Sequence, residues 1–460
     1  MNALFLRGTF HGGSHPPSFK TLTEDKTIRR MRQPQKVIIP LLQHTGAVCK
    51  PVVAAGDQVR AGDPIGAADA FIAAPVHASI SGKVLKIAES PHPLVGTAPA
   101  VFIERTGAAK EWKDIAPEPP GDIESLTWET LRSTIKDAGI VGLGGAAFPT
   151  HVKLSPPLNK PIDMVLLNGA ECEPYLTCDY RLMMEYPQNV IKGLLLIAKA
   201  VGAPSIVIAL EDNKPNAAIV MKRVLRESYG DRRNIRVVVL SAKYPQGAER
   251  QLIKSVTGRT VPSGKLPLEV GCVVQNIGTA FAVYEAVYLG KPLIERCVTV
   301  TGACLKEPKN LWIRIGTPLR DVVDECGGFL EEPKKVVFGG PMMGIAQYTM
   351  DVPVIKGTSG IIFFSERDLR EEPAGTCIRC AKCIDSCPMG LMPTTLMNLA
   401  KRERFQEAAD CGVAACIECG ACAYECPAKI PLVDYMKWGK SKIPPPKTER
   451  NKGEREKAKN

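Results

Sequence analysis

Between Met164 and Gly290, short apolar runs alternate with longer stretches in which apolar residues recur every three or four positions. The runs Met164–Leu167, Ser205–Leu210, Ile235–Leu240 and Cys272–Gln275 predict buried strands. The stretches Asn189–Val201, Asn213–Tyr229, Gly247–Thr257 and Thr279–Leu289 predict helices. Gly202, Gly230, Gly258 and Gly290 follow them. Glycine ends a helix in the left-handed conformation without Cβ strain. Repeated strand–helix units predict a mainly parallel sheet covered by helices. Such sheets bind ligands at the carboxyl ends of their strands.

The pattern changes on both sides of this region, so the chain reads as a multidomain α/β protein. Residues 1–35 are rich in Gly, Pro and His and mixed in character. Over 36–107, Gly56–Gly66 and Ala74–Val84 alternate turn residues with apolar ones, as short strands do. This style resembles the barrel-sandwich fold of biotinyl and lipoyl carrier domains. The hairpin that carries a modified lysine in those domains reads Ala67-Ala68-Asp69-Ala70 here, so the swinging-arm chemistry is not expected. A Pro/Glu-rich linker over 107–125 leads into the α/β domain at 126–290. Residues 291–365 predict a small α+β domain, with a hairpin of Cys297–Thr301 and Leu311–Ile315 and a helix over Pro318–Cys326. Residues 366–436 are cysteine-rich and otherwise helical.

The net charge of +11 is uneven. Residues 437–460 hold nine Lys/Arg and three Asp/Glu, so 9 − 3 = +6 lies there, with little apolar content to bury. A disordered basic tail is expected, solvated or meeting acidic lipid or an acidic partner. No nucleic-acid module is evident. The strongest apolar run in a helix pattern, Gly193–Ala198, is flanked by Lys192 and Lys199, so no membrane span is expected. Nor does the N-terminus read as a signal peptide.

Eight of the sixteen cysteines form two groups: Cys377, Cys380, Cys383 and Cys387, then Cys416, Cys419, Cys422 and Cys426. Each group has gaps of two, two and three residues and ends in Cys-Pro. Three cysteines at two-residue gaps can hold three corners of one cubane, while the fourth ligates the other cluster. The expected sets are Cys377, Cys380, Cys383 and Cys426 for one [4Fe–4S] cluster, and Cys416, Cys419, Cys422 and Cys387 for the other. Zinc also uses four cysteines at short spacings, but two complete ferredoxin runs disfavour it. Cys411 belongs to neither set and reads as a free thiol.

The loop Gly142-Leu143-Gly144-Gly145-Ala146-Ala147-Phe148-Pro149-Thr150 lets backbone N–H groups approach a phosphate, and Lys153 follows it. The next strand ends in Asn168-Gly169-Ala170-Glu171-Cys172-Glu173-Pro174, and a later one in Gln275-Asn276-Ile277-Gly278-Thr279. These segments resemble the flavin- and NADH-binding subunit of respiratory complex I. The resemblance implies that Gly142, Gly144, Gly145, Phe148 and Lys153 belong to the FMN site, with Gly144, Gly145 and Lys153 on its phosphate side. It implies that Asn168 and Asn276 meet the flavin and its ribityl chain. It places Glu171 and Glu173 near the nicotinamide and its ribose as the catalytic pair, and gives Glu249 to the NADH side. Ala248 and Ala170 stand where that family has acidic residues.

Over about residues 5–436 the chain resembles the RnfC family, a component of Rnf complexes. Gly12-Gly13-Ser14-His15-Pro16-Pro17, Glu211–Pro215, Tyr244–Glu249 and Gly339-Gly340-Pro341-Met342-Met343-Gly344 follow in that family's order. This implies a Rossmann-like flavin domain, a β-grasp domain of the SLBB kind at 291–365, and a ferredoxin domain. It further implies ferredoxin:NAD+ electron transfer at the cytoplasmic face of the membrane. The expected partners are NAD(H), integral-membrane and Fe–S subunits that couple transfer to Na+ or H+ movement, and, indirectly, ferredoxin. A soluble flavin/Fe–S reductase such as a cobalamin reductase, and a flavin-free electron relay, are the alternatives.

Overall fold

The computed structural model describes residues 4–5 and 8–443, apart from 109, 111, 115, 117–122, 231–233 and 370–371. The expected tail from 444 onward and part of the linker lie outside the described residues. The chain divides into two compact units: one of residues 1–10 and 15–371, the other of 11–14 and 372–460.

Among its described residues the first unit holds four sheets. The largest apolar core surrounds a five-stranded parallel sheet in the order Leu4–Phe5, Ile235–Leu240, Ser205–Glu211, Met164–Gly169, Cys272–Asn276. Its inner strands are buried almost throughout, because helices cover both faces of a parallel sheet. The helices Pro187–Val201, Pro215–Tyr229, Glu249–Thr257 and Ile277–Leu289 match the periodic stretches in the sequence. Each ends at its glycine, with φ between +57° and +73°. The sequence pattern did not announce two further helices, Trp128–Asp137 and Cys178–Glu185.

Residues 36–105 form a four-stranded and a three-stranded antiparallel sheet, both built from short strands apart from the long hairpin Gly82–His92 and Gly96–Arg105. A six-stranded mixed sheet contains the hairpin Glu295–Thr301 with Lys309–Arg314, and the helix Leu319–Glu325 accompanies it.

Among the described residues before Lys36, two short strands join sheets formed by later parts of the chain. Leu4–Phe5 extends the parallel sheet, and Arg29–Arg30 extends the six-stranded one. Between them, Lys20 is buried within the first unit.

The second unit is helical, with apolar packing around Leu396, Leu432 and Met436. Its last helix, Leu432–Ser441, continues five residues beyond the boundary expected at 436. Met436 and Gly439 are buried on it, so packing holds a stretch whose charge suggested a solvated tail.

Candidate functional site

Strand order changes direction at Met164–Gly169. The next strand in sequence lies on one side of it and Cys272–Asn276 on the other. A crevice opens at the carboxyl ends of two such strands. Asn168 and Asn276 stand there in register with each other. The Asn276 side chain accepts from Gly278 N at 2.8 Å, capping the helix Ile277–Leu289, and donates to Asp179. Asn168 donates to Gly247 O at 2.7 Å and accepts from Ala170 N at 3.1 Å. Both amides are therefore fixed in orientation.

The glycine loop lies beside Asn276, since a Cβ on Gly144 would come within 3.3 Å of that side chain. The loop closes on itself through Gly142 N to Phe148 O at 2.8 Å, and Leu143 N donates to the Thr279 hydroxyl at 2.9 Å. Gly145 has φ of +125°, which favours glycine, and a Cβ there would meet nothing within 4 Å. This open backbone suits close approach by a phosphate or ribityl group. The residues present fit FMN. Lys153 Nζ lies on the short helix that follows, 2.7 Å from Glu249 Oε1, and this pair brings the two sides of the expected site together.

The barrel-sandwich loops reach this site. Thr45 donates from Oγ1 to Ala146 O at 2.8 Å and from its N–H to Ala147 O at 3.2 Å. Ala147 has φ of +48°, so those bonds hold a strained residue. The hairpin without the lysine also packs here: Phe71 O lies 3.2 Å from His151 Nε2, and the two rings meet edge to face.

Glu171 and Glu173 are both engaged by backbone. Glu171 is buried and accepts from Asp179 N at 2.9 Å and Tyr180 N at 3.4 Å, capping the helix Cys178–Glu185. Glu173 accepts from Met342 N and Met343 N, both at 3.0 Å, and so ties the acidic turn to the Gly339–Gly344 loop. Burial pushes Glu173 up to about 7, against the two N–H groups that favour its charge. Burial likewise raises Asp179, and the neighbouring Glu171 carboxylate adds to the shift.

Sequence reasoning missed Lys20. Its ammonium donates to Glu171 O at 3.0 Å, Glu173 O at 2.9 Å and Leu176 O. Burial lowers its pKa, with Glu171 opposing. Lys214, paired with Glu211 at 2.8 Å, supports the same turn. No local spacing marks Lys20. Only the fold shows that the acidic turn is built on buried cations.

In the second unit, Cys387, Cys416, Cys419 and Cys422 line one apolar cavity with Leu391 and Met436. The Cys422 thiol lies in the electrostatic reach of Cys419, Cys416 and Cys387, and Cys383 in that of Cys426. The structure thus sets Cys387 near Cys416, Cys419 and Cys422, and Cys383 near Cys426. Cys377 is half-buried against the same core and Cys380 is exposed. Among the described residues, no three His, Cys, Asp or Glu side chains converge on the position of a single metal ion.

Both cysteine loops bend alike. Arg379 and Ala381 flank Cys380 with φ of +56° and +62°, and Glu418 and Gly420 flank Cys419 with φ of +56° and +82°. Non-glycine residues adopt this conformation at a cost of about 1–2 kcal/mol each. Two loops thus carry the same strain at equivalent places, around Cys380 and Cys419. Leu391 N and Glu418 N donate to Cys387 Sγ and Cys416 Sγ at 3.3 and 3.4 Å, as donors to thiolates would. These residues fit a polynuclear cluster held by four thiolates.

Known family models match the chain in four places. They are the RnfC barrel sandwich hybrid domain (residues 8–108), the Nuo51 FMN-binding domain (135–285), the SLBB domain (297–346) and a 4Fe-4S dicluster domain (371–427). The chain is 46% identical over 452 residues to the C subunit of the proton-translocating ferredoxin:NAD(+) oxidoreductase complex of Clostridium ljungdahlii, covering 98% of this chain and 96% of that protein. It is 44% identical over 400 residues to the corresponding subunit of the Na(+)-translocating ferredoxin:NAD(+) oxidoreductase complex of Acetobacterium woodii, covering 87% and 89%. It is 38% identical over 438 residues to the corresponding subunit of the ion-translocating oxidoreductase complex of Rhodobacter capsulatus, covering 95% and 83%. FMN and [4Fe–4S] clusters are the cofactors that the matched domains take.

Proposed function

The chain belongs to the RnfC family of ion-translocating ferredoxin:NAD(+) oxidoreductase subunits, and we propose that it is the NAD(H)-facing electron-transfer subunit of such a complex. The observation that carries this reading is the pair Asn168 and Asn276, in register at the point where strand order reverses and beside the open glycine loop. The parallel sheet is Rossmann-like in this respect. The six-stranded domain is read as a β-grasp of the SLBB kind.

FMN, when bound, exchanges hydride with a nicotinamide and single electrons with iron–sulfur clusters. The protein's part is placement. Gly142, Gly144, Gly145 and Phe148 shape the phosphate loop, and Lys153 supplies its cation. Asn168 and Asn276 orient the ring and ribityl chain. Glu171 and Glu173 define the nicotinamide side through the backbone they hold, and Glu249 closes it. Cys377, Cys380, Cys383 and Cys426 ligate one cluster, and Cys416, Cys419, Cys422 and Cys387 the other.

Among the described residues no helix is long and apolar enough to cross a membrane. Ion movement therefore falls to integral-membrane partners, and the chain works at the cytoplasmic face against them, with ferredoxin reached through the Fe–S subunits. Anaerobic purification, flavin and iron analysis, and titration with NADH under a visible spectrometer test this. About one FMN and about eight iron atoms per chain, both chromophores bleaching, are expected. Iron without flavin or NADH response would leave an electron relay.

A further inference from the structure

Residues 11–14 belong to the cysteine-rich unit, although 372 is the next residue of that unit in sequence. Gly12 and Gly13 both have positive φ, +74° and +88°. A Cβ on Gly12 would lie 2.7 Å from the carbonyl carbon and oxygen of Cys387 and 2.9 Å from Ser386 O. Those neighbours are backbone and cannot give way. Gly13 N donates to Ser386 O at 2.8 Å. The Gly-Gly pair is therefore what lets the chain lie flat against the backbone of Cys387, the cysteine that crosses to the Cys416–Cys422 group.

Ser14 comes next. It is 2% exposed, and its Oγ has no hydrogen-bond partner among the described residues. A buried hydroxyl left unpaired is costly, so such a group ordinarily has a partner. Cysteine thiolate and the sulfide of a cluster both accept hydrogen bonds. A donor beside them stabilises the extra electron of the reduced state and raises the reduction potential.

Resting on the cluster assignment above, we infer that residues 11–14 are a positioning wall of the cluster site at Cys387, and that the Ser14 hydroxyl is a hydrogen-bond donor that sets that cluster's potential. The glycines hold the Cys387 backbone in place. This gives the Gly-Gly-Ser segment a role in electron transfer, although it lies more than 360 residues from the cysteines it serves.

The test uses the full chain, purified anaerobically with its clusters, and EPR-monitored redox titration. Ser14→Ala should keep wild-type iron and move one cluster to a more negative midpoint potential while leaving the other unchanged. Ser14→Thr, which keeps the hydroxyl, should restore the potential toward wild type. Gly12→Val should lower iron toward about half and retain FMN. Unshifted potentials in Ser14→Ala, or full iron in Gly12→Val, would overturn the inference, as would loss of FMN along with iron in Gly12→Val. Absence of cluster iron from the wild-type chain would instead overturn the functional reading on which it rests.

Discussion

Lys153 donates to Glu249 at 2.7 Å, each side chain about one-third exposed. The two residues were assigned to opposite ends of the site, one to a phosphate and one to the nicotinamide side. Their pairing makes the cation's availability depend on the carboxylate. Lys153→Met should weaken FMN binding to the apo-protein about tenfold or more, because hydrogen bonds to charged groups are worth about 1.5–3 kcal/mol. Glu249→Gln should leave FMN affinity at or above wild type while raising KM for NADH. Fluorescence titration with FMN checks the first, and steady-state kinetics the second. Equal FMN affinity in wild type and Lys153→Met would remove the lysine from the phosphate site.

Crossed ligation makes a pairing prediction for the cysteines. Cys383→Ala and Cys426→Ala should each remove about half the iron and leave the same residual EPR signal. Cys387→Ala and Cys422→Ala should share the other residual signal. If Cys387→Ala instead matched Cys383→Ala, each run would hold its own cluster and the grouping around the cavity would have no part in ligation.

The sequence made the parallel sheet legible because its buried runs and glycine stops are local signals, and Met164–Gly169 and Cys272–Asn276 differ from their expected limits by two residues and one. The cysteine groups were legible because ligand spacing is also local. The supports were not. Lys20 and Glu171 are 151 residues apart, and nothing around Ser18-Phe19-Lys20 signals a buried cation. Glu171 and Glu173 were expected to face substrate, whereas their carboxylates accept backbone N–H groups. A carboxylate at a strand end can serve either purpose, and only the path of the neighbouring helix and loop decides which.

Glu173 gives the chain a specific pH response. Its folded value of about 7 lies above the ordinary 4.5. The folded state therefore holds the proton more tightly than the unfolded one. Stability from this group is fully present below 4.5 and declines until pH passes 7, by roughly 3 kcal/mol in all. Glu173→Gln lacks that decline. Melting temperatures at pH 5, 6, 7 and 8 should show the variant gaining on the wild type as pH rises, with FMN content equal in both. Parallel profiles would show that the carboxyl titrates normally. Since Glu173 anchors the Met342–Met343 loop, the variant should also oxidise NADH more slowly.

Thr45 tests whether the barrel-sandwich domain serves the cofactor loop. In carrier domains of this style the neighbouring hairpin offers a lysine to the outside, whereas here it packs on His151 and its companion loop holds Ala146 and Ala147. Ala147 is strained at φ of +48°, so its carbonyl needs an external anchor, which Thr45 N supplies, while the hydroxyl fixes the carbonyl before it. Thr45→Val keeps the side-chain volume and the N–H but loses the hydroxyl bond, worth about 1 kcal/mol, and should weaken FMN binding about fivefold. Thr45→Ser restores the bond and should restore affinity. A general loss of packing would affect Ser, which lacks the methyl, at least as much as Val. If Val binds FMN as wild type does, the glycine loop holds its shape without the neighbouring domain. If Ser and Val fall together, Thr45 matters through its methyl group. Only loss in Val with recovery in Ser makes the first domain part of the flavin site.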